Sequence, residues 1–493
     1  MTSLSVLVPV YNEHHLVTSS LSRLAILESS PYLDQLQVIV VDDCSKDDTP
    51  QVLRAFAAER GLTWQEEAPS ENGIALVASG RAGKTDWVFL RHDKNGGKGR
   101  AIQTALARAT CAITVIHDAD LEYNPRDLNR IIKVFVEERA DAVFGSRFAG
   151  GDVRRALHFR HELGNRLITF LTNLVTDLNL TDIETCYKAV RTDLLRSIPI
   201  VSNDFRLEPE LVIKLAKRGA RIFEVPISYA GRTYQEGKKI NWRDGVGALA
   251  AIARFGVSDN VFIADDHGSH TLNRLSRAPR FNAWMGDVIR PHCGQRVLEI
   301  GSGVGNLTRQ LVPRALYHAS DINPLYLQAL ERLTYERPYL HISLTDVTKP
   351  ETFPQVPGGF DTVVCLNVIE HVDDDRGALE NIKRVLAPGG RAIILVPHGP
   401  QLMGTLDEVL GHHRRYTVET LQQLAESAGF KVQQTILFNR TGWPAWWLNG
   451  QVLKRRTFGL GQIMALNALT PVFRRVDEQL PFPPLSLIAI LEH

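Results

Sequence analysis

Two long stretches of the chain share one rhythm: an unbroken apolar run that stops at polar residues, then apolar positions three and four apart. In the first stretch, from Ser5 to about Ala149, the runs are SVLVPV, QVIVVDD, WVFLRH, AITVIHDAD and DAVFGSR. Continuous β-branched runs suit strands buried on both faces, the condition of a parallel sheet covered by helices. The covering helices are expected after GKGR, where Ile102, Ala105, Leu106 and Ala109 recur at helical spacing, and in TPQVLRAFAAERG. Ligands of such sheets bind beyond the carboxyl ends of the strands, so the polar tails predict a site.

A further strand-like run, RIFEVPISY, precedes GRTYQEGKKINWRDG and an amphipathic stretch at about 245–255. Periodicity is then lost in the polar tract DDHGSHTLNRLSRAPR, which places a linker at about 256–276. From Arg296 the rhythm restarts: RVLEIGSGVGN, YHASDIN, DTVVCLNVIEH and RAIILVP alternate with the helical patterns PLYLQALERL and LENIKRVL. The final run, LSLIAILEH, reads as the last strand of this second sheet. The expected fold class is therefore α/β twice over, with one α/β domain at 1–255 and another at 277–493. The glycine-rich turn of the second half has no counterpart in the first, so the halves are not repeats.

Composition agrees with this division. A chain of 493 residues, 44% hydrophobic and 23% charged, is too long for one core and apolar enough to build two. Its 56 Lys and Arg nearly cancel its 55 Asp and Glu, which removes any whole-chain attraction to nucleic acid or anionic membrane. The cysteines, Cys44, Cys111, Cys186, Cys293 and Cys365, are scattered without C-x-x-C spacing and read as reduced thiols. The opening MTSLSVLVPVYNE goes straight into a strand and lacks the basic leader of a signal peptide. Between Arg456 and Arg474, Gln462, Asn467 and Pro471 interrupt the longest uncharged stretch, so no transmembrane segment is expected. The location these features predict is the cytoplasm, or the periphery of a membrane. They say nothing of its oligomeric state.

Two carboxylates on one short turn can hold a divalent cation, and such a cation neutralises a diphosphate leaving group. Asp118 and Asp120 in HDADLEYNP follow the apolar run AITVI, so both would emerge at a strand's carboxyl edge, with Glu122 able to complete the ligand set. Ordinary turn capping would use the same residues. What separates the readings is the company they keep: PVYNE at 9–13, VDDCSKDDT at 41–49, NGGKGRA at 95–101, GSRF at 145–148 and ETCYK at 184–188.

With these motifs in this order, the region from about Ser3 to Gly245 resembles the inverting GT-A glycosyltransferases, most closely the branch of dolichyl-phosphate mannose synthases and related polyprenyl-phosphate sugar synthases. The resemblance implies that Pro9, Tyr11, Glu13 and Asp42 hold the base and ribose of a nucleotide-diphosphate sugar, with Lys98 beside them. It implies that Asp118, Asp120 and Glu122 carry Mg²⁺ or Mn²⁺, while Arg147, Arg232 and Lys238 face the diphosphate or an acceptor phosphate. The acceptor phosphate of a polyprenyl chain at a membrane surface is already ionised and needs no base. A hydroxyl acceptor needs one, and Asp182 and Glu184 are the candidates. Lys98 also fits a plain helix start, and Arg232 and Lys238 also fit a solvated loop.

In the second half, VLEIGSGVGN sets Gly301, Gly303 and Gly305 in a strand-to-helix turn where a ligand can approach bare backbone. Asp321 in HASDIN and Asp346 in SLTDVT end the next two strands. A dinucleotide site shares these features, but the Gly-x-Gly-x-Gly spacing, NVIEHV at a strand end and LAPGG before the next strand argue against it. From about Ala278 to His493 the chain looks like a class I S-adenosylmethionine-dependent methyltransferase. That resemblance implies Glu299 and the glycines at the methionine part of S-adenosyl-L-methionine, Asp321 at the ribose, Asp346 and Val347 at the adenine, and Asn367 beside the methyl sulfonium. His371 is read either as a base or as a structural histidine. His413, Arg414, Arg415 and Tyr416 in GHHRRYT are read as a cationic patch for an acceptor anion or as a solvated turn.

The function expected is a bifunctional enzyme: metal-dependent inverting sugar transfer, plus methylation of the same or a pathway-related molecule. The alternative keeps the glycosyltransferase active and makes the second domain a docking module. Small-molecule donors, and no nucleic acid, are the expected partners.

Overall fold

The computed structural model describes residues 1–66, 73–150, 155, 159–231, 242–258, 260, 261, 278–335, 337–456 and 458–493. The chain divides into two compact units, Met1–Ile263 and Ala264–His493. Of the expected linker at 256–276, residues 259 and 262–276 lie outside the described residues.

The first unit is built on nine strands: β1 (Thr2–Val10), β2 (Leu33–Asp42), β3 (Gln65–Glu66), β4 (Ile74–Ala82), β5 (Thr85–His92), β6 (Ile113–Ile116), β7 (Ala142–Ser146), β8 (Lys188–Arg191) and β9 (Ile222–Pro226). Their order in the sheet is β3-β4-β5-β2-β1-β6-β8-β7-β9. The expected all-parallel sheet is in fact mixed. β5, β2, β1 and β6 run parallel, but β8 enters antiparallel between β6 and β7, and β4 turns back against β5. The short β8 supplies an extra strand without needing a crossover helix.

Leu4, Val6, Leu7, Val8 and Val10 of β1 and Val38 to Val41 of β2 are fully buried, as central strands covered on both faces must be. The helices α1 (Val17–Arg23), α2 (Thr49–Ala58), α3 (Lys98–Arg108), α4 (Asp127–Glu137), α5 (Phe159–Thr176), α6 (Thr192–Arg196), α7 (Leu207–Lys217) and α8 (Trp242–Val257) complete the unit. On α4 the buried set Leu128, Ile131, Ile132 and Phe135 is a single apolar stripe at helical spacing.

The second unit holds β10 (Arg296–Ile300), β11 (Leu316–Asp321), β12 (Leu340–Leu344), β13 (Phe360–Leu366), β14 (Leu386–Pro397), β15 (Lys431–Phe438) and β16 (Ser486–Glu492). The order is β12-β11-β10-β13-β14-β16-β15. Five strands are parallel, and the closing run from Ser486 inserts antiparallel between β14 and β15. No helix among the described residues is long and apolar enough to cross a membrane.

Both sheets have a point where strand order reverses, between β1 and β6 and between β10 and β13. Connections leave to opposite sides there, opening a crevice beyond the carboxyl ends of the two strands. Each half therefore has its polar strand tails at the place the topology leaves open.

Candidate functional sites in the two units

At the first crevice the turn after β1 is stitched to the loop after β2. Asn12, at φ 53°, donates its N–H to Ser45 Oγ (2.9 Å) and accepts from Lys46 N–H (2.8 Å), and Glu13 N–H donates to Thr49 Oγ1 (2.9 Å). Pro9 and Tyr11 lie partly open beside this seam. Asp42 ends β2 and is buried; its Oδ1 accepts from Ser45 N–H, while Oδ2 has no hydrogen bond among the described residues and lies 3.4 Å from Arg91. Burial raises the Asp42 carboxyl above its ordinary range. A buried oxygen without a donor suits a ligand N–H or hydroxyl.

The neighbouring Asp43 plays a different part, which the sequence did not reveal. It accepts from His92 Nδ1 (2.7 Å), from Gly96 N–H and from Gly97 N–H (2.7 Å). Burial pushes its carboxyl up, but these donors outweigh it and hold it below the usual value. Asp43 thereby fixes the glycine turn that starts α3. Gly97 has φ 90°, and a Cβ there or at Gly99 would run into the backbone of Ser202 and Asn203. Only glycine fits, and the turn delivers Lys98 to the crevice.

Lys98 is the first residue of α3, and its ammonium also lies 3.0 Å from Asp118 and 3.2 Å from Glu208. Burial opposes its charge, yet the two carboxylates prevail and raise its pKa well above normal. Glu208, at the start of α7, is 4% exposed at its side chain and also pairs with the buried Lys188. Asp118 N–H donates to Cys186 Sγ (3.0 Å). Asp120 accepts from Glu122 N–H (3.2 Å), and Glu122 accepts from Tyr229 hydroxyl (2.7 Å). Asp118, Asp120 and Glu122 thus lie on one turn, an all-oxygen set of the kind hard divalent cations prefer.

Arg147 makes a bidentate pair with Asp182, at 2.6 and 2.8 Å, and lies 5.0 Å over the Tyr229 ring. Asp182 is fully buried and its oxygens also receive the Arg147 and Glu184 N–H groups. Of the two base candidates, Asp182 is consequently spent on Arg147. Glu184 keeps a buried Oε1 with no hydrogen-bond partner among the described residues, and burial together with the charge of Glu208 pushes its carboxyl up to about 7. Arg232 and Lys238 lie outside the described residues.

At the second crevice Gly301, Gly303 and Gly305 have φ of 75°, 55° and 80°. Gly303 N–H donates to Asp321 Oδ2 (2.8 Å), so the carboxylate at the end of β11 holds the glycine turn after β10. Glu299 lies buried beneath that turn, accepting from Thr308 hydroxyl (2.6 Å) and Tyr317 hydroxyl (2.9 Å). Burial raises its pKa. Asp346 accepts from Thr348 N–H and hydroxyl, Val347 is buried, and Asn367 is exposed at φ 52° beyond the end of β13.

These geometries coincide with two sequence families. The Glycosyl transferase family 2 model matches residues 5–198, and a Methyltransferase domain model matches 298–392. The chain is a glycosyltransferase joined to a methyltransferase. Over the glycosyltransferase unit it is 28% identical to an undecaprenyl-phosphate mannosyltransferase of Micrococcus luteus, across 258 residues, 51% of this chain and 93% of that one. It is 24% identical to an uncharacterized protein of Methanocaldococcus jannaschii over 241 residues, 48% of this chain and 85% of that one. Among solved structures, glucosyl-3-phosphoglycerate synthase from Mycobacterium tuberculosis, with Mn²⁺, UDP-glucose and phosphoglyceric acid, superposes at TM-score 0.38. It is 18% identical and covers 52% of this chain and 80% of that one. A putative sarcosine dimethylglycine methyltransferase from Galdieria sulphuraria superposes at TM-score 0.31, with 13% identity over 43% of this chain and 85% of that one.

One expectation within the methyltransferase unit needs correction. The cations of GHHRRYT do not form a free patch, because each has an acid beside it. His413 pairs with Asp373 (2.6 Å), Arg414 with Asp375 (2.8 Å) and the buried Arg415 with Asp407 (2.8 Å), while Tyr416 hydroxyl donates to Asp375 (2.8 Å). The other feature at this end is Glu370 in NVIEHV, fully buried with neither carboxylate oxygen hydrogen-bonded among the described residues. Burial pushes it up to about 8. Beside it, burial and His412 bring His371 down to about 4.

Proposed function

We propose that the glycosyltransferase unit moves a sugar with inversion from a nucleoside-diphosphate sugar to an acceptor, and that the methyltransferase unit methylates the same or a pathway-related molecule. The observation that carries the first half is the meeting of Asp42, the 9–13 turn and the Asp118–Glu122 turn at one sheet switch point. Asp42 and the turn at Pro9, Tyr11 and Glu13 bind the nucleoside. Asp118, Asp120 and Glu122 hold Mg²⁺ or Mn²⁺, which when bound neutralises the diphosphate as it leaves. Lys98 adds a fixed positive charge beside that turn and keeps Asp118 oriented. Arg147, Arg232 and Lys238 are assigned to the phosphates of donor or acceptor.

Polyprenyl phosphate is the acceptor class favoured. The Micrococcus luteus relative carries that lipid in its name. On α5, moreover, Phe159, Leu163, Leu167, Phe170 and Leu174 stand exposed at spacings of four, four, three and four, a stripe suited to the surface of a bilayer. One observation favours a hydroxyl acceptor instead: the carboxyl of Glu184, held near 7, is tuned as a base would be.

In the methyltransferase unit the glycine turn and Asp321 bind S-adenosyl-L-methionine, which supplies the methyl group. Asp346 and Val347 border the adenine, Asn367 the sulfonium, and Glu299 supports the turn from below. The test is to incubate the pure protein with a panel of nucleotide sugars, Mn²⁺ and undecaprenyl phosphate, and then with methyl-labelled S-adenosylmethionine. One donor should be consumed and label should enter the product. Consumption of no donor would overturn the first half; absence of S-adenosylmethionine binding would overturn the second in favour of a docking module.

A further inference from the structure

Three groups in the methyltransferase unit converge without a role in the chemistry described so far. They are Glu370, His371 and His412, whose ligand-competent atoms all lie within 4.8 Å of one another. Glu370 and His371 come from the turn after β13, immediately beyond Asn367. His412 comes from a separate loop, carried there by the short helix Thr405–Leu410 and its left-handed cap Gly411.

Each histidine has its Nδ1 committed to an acceptor. His412 Nδ1 meets Asp407 Oδ1 at 2.8 Å, and its Nε2 faces Glu370 Oε1 at 3.9 Å. The Nδ1 of His371 donates to the Gly411 carbonyl at 3.1 Å. A carboxylate or carbonyl behind the histidine fixes the tautomer and raises the basicity of the opposite nitrogen, the outer-shell arrangement of metal-bound imidazoles. Asp407 is itself fixed by Arg415 at 2.8 Å. Glu370 completes the set as a fully buried carboxylate with both oxygens lacking a hydrogen bond. His412 Nε2 at 3.9 Å and the charge of Arg415 face this acid, but neither donates a hydrogen bond to it, and a buried acid without a donor is costly.

We propose that Glu370, His371 and His412 form a second divalent cation site, selective for a first-row transition ion, at the mouth of the methyl-transfer crevice. Two imidazoles and one carboxylate suit Zn²⁺, Mn²⁺, Fe²⁺ or Co²⁺ rather than Mg²⁺ or Ca²⁺. Metal bonds of about 2.1 Å bring ligand atoms to roughly 3 Å from one another, so the 3.9 Å gap closes by about an ångström. Three protein ligands leave coordination positions open for oxygens of the methyl acceptor, of the class of a hydroxyl with an adjacent oxygen. Held there, the hydroxyl gives up its proton more readily and points its oxygen at the sulfonium methyl beside Asn367. This service to the acceptor rests on the methyltransferase reading; binding of the cation does not.

The test uses the full-length chain carrying Asp118→Ala and Asp120→Ala, to remove the cation site of the other unit. After stripping with chelator it is titrated with Co²⁺ alone and followed by visible absorption, with circular dichroism as the measure of folding. One equivalent of Co²⁺ is expected, lost on adding His412→Ala or His371→Ala and weakened about 10- to 100-fold by Asp407→Asn. His371 is exposed, so its removal leaves the fold intact even if the His412 variant does not fold. A folded protein that binds no Co²⁺, or Co²⁺ binding indifferent to His371→Ala, would overturn the site.

Discussion

The ammonium of Lys98 lies 3.0 Å from the carboxylate of Asp118, on the turn that also carries Asp120 and Glu122. A divalent cation held there, as proposed, would compete with Lys98 for the same oxygens. Lys98→Met should bind Mn²⁺ about tenfold more tightly, as roughly 1.4 kcal/mol of like-charge repulsion is relieved, and yet transfer sugar more slowly. Mn²⁺ titration by electron paramagnetic resonance checks the first part and donor turnover the second. Unchanged Mn²⁺ affinity would show that Lys98 serves only as the start of α3.

Glu184 allows the acceptor class to be read from a pH profile. With its carboxyl near 7, the base form is lost as pH falls, so transfer to a hydroxyl should drop about tenfold per unit below that value. Glu184→Gln should lower the rate and flatten the acid limb. If turnover instead follows no such limb and the variant retains full activity, the acceptor is an ionised phosphate.

Asp43 should matter for stability without touching substrate. Its buried carboxylate receives donors from His92, Gly96 and Gly97, and Asp43→Ala leaves those donors unpaired at a cost of about 2–4 kcal/mol. The denaturant midpoint of the glycosyltransferase unit should fall accordingly, with S-adenosylmethionine affinity unchanged. A midpoint within error of wild type would contradict the role given to Asp43.

Asp321 and Glu299 should separate in the other unit. Asp321→Ala removes both the proposed nucleoside contact and the anchor of Gly303, so calorimetry should show S-adenosylmethionine binding weakened about a hundredfold. Glu299→Gln keeps an acceptor for Thr308 and Tyr317 and should cost about tenfold or less. Equal losses would place Glu299 in direct contact with the ligand.

Much of this was legible in sequence because central strands of α/β sheets are continuous apolar runs and their ends carry the chemistry. β1, β2, β6 and β10 announced themselves in that way, with Asp42, Asp118 and Gly301 directly beyond them. The strand β8 did not. Its four residues, Lys188–Arg191, lie in a segment whose pattern favours neither strand nor helix, and its place between β6 and β7 is decided by pairing alone. Glu208 stayed hidden because an acid in the first turn of a helix reads as a complement to the helix dipole. The cations of GHHRRYT were visible together, but Asp373 and Asp375, which neutralise His413 and Arg414, come from a segment some 40 residues earlier and meet them only in the fold, while Asp407, the partner of Arg415, sits in the helix just before. Charge matching across distant segments leaves no mark in local sequence.

On the reading proposed here, one chain carries two independent transfer chemistries. The direct measurement is sugar transfer and methyl transfer by the pure protein beside its Asp118→Ala and Gly303→Arg variants, each assayed for both reactions. Asp118→Ala should abolish donor consumption while leaving S-adenosylmethionine binding intact, and Gly303→Arg should do the reverse. Donor consumption that survives Asp118→Ala, or methyl transfer that survives Gly303→Arg, would contradict the account.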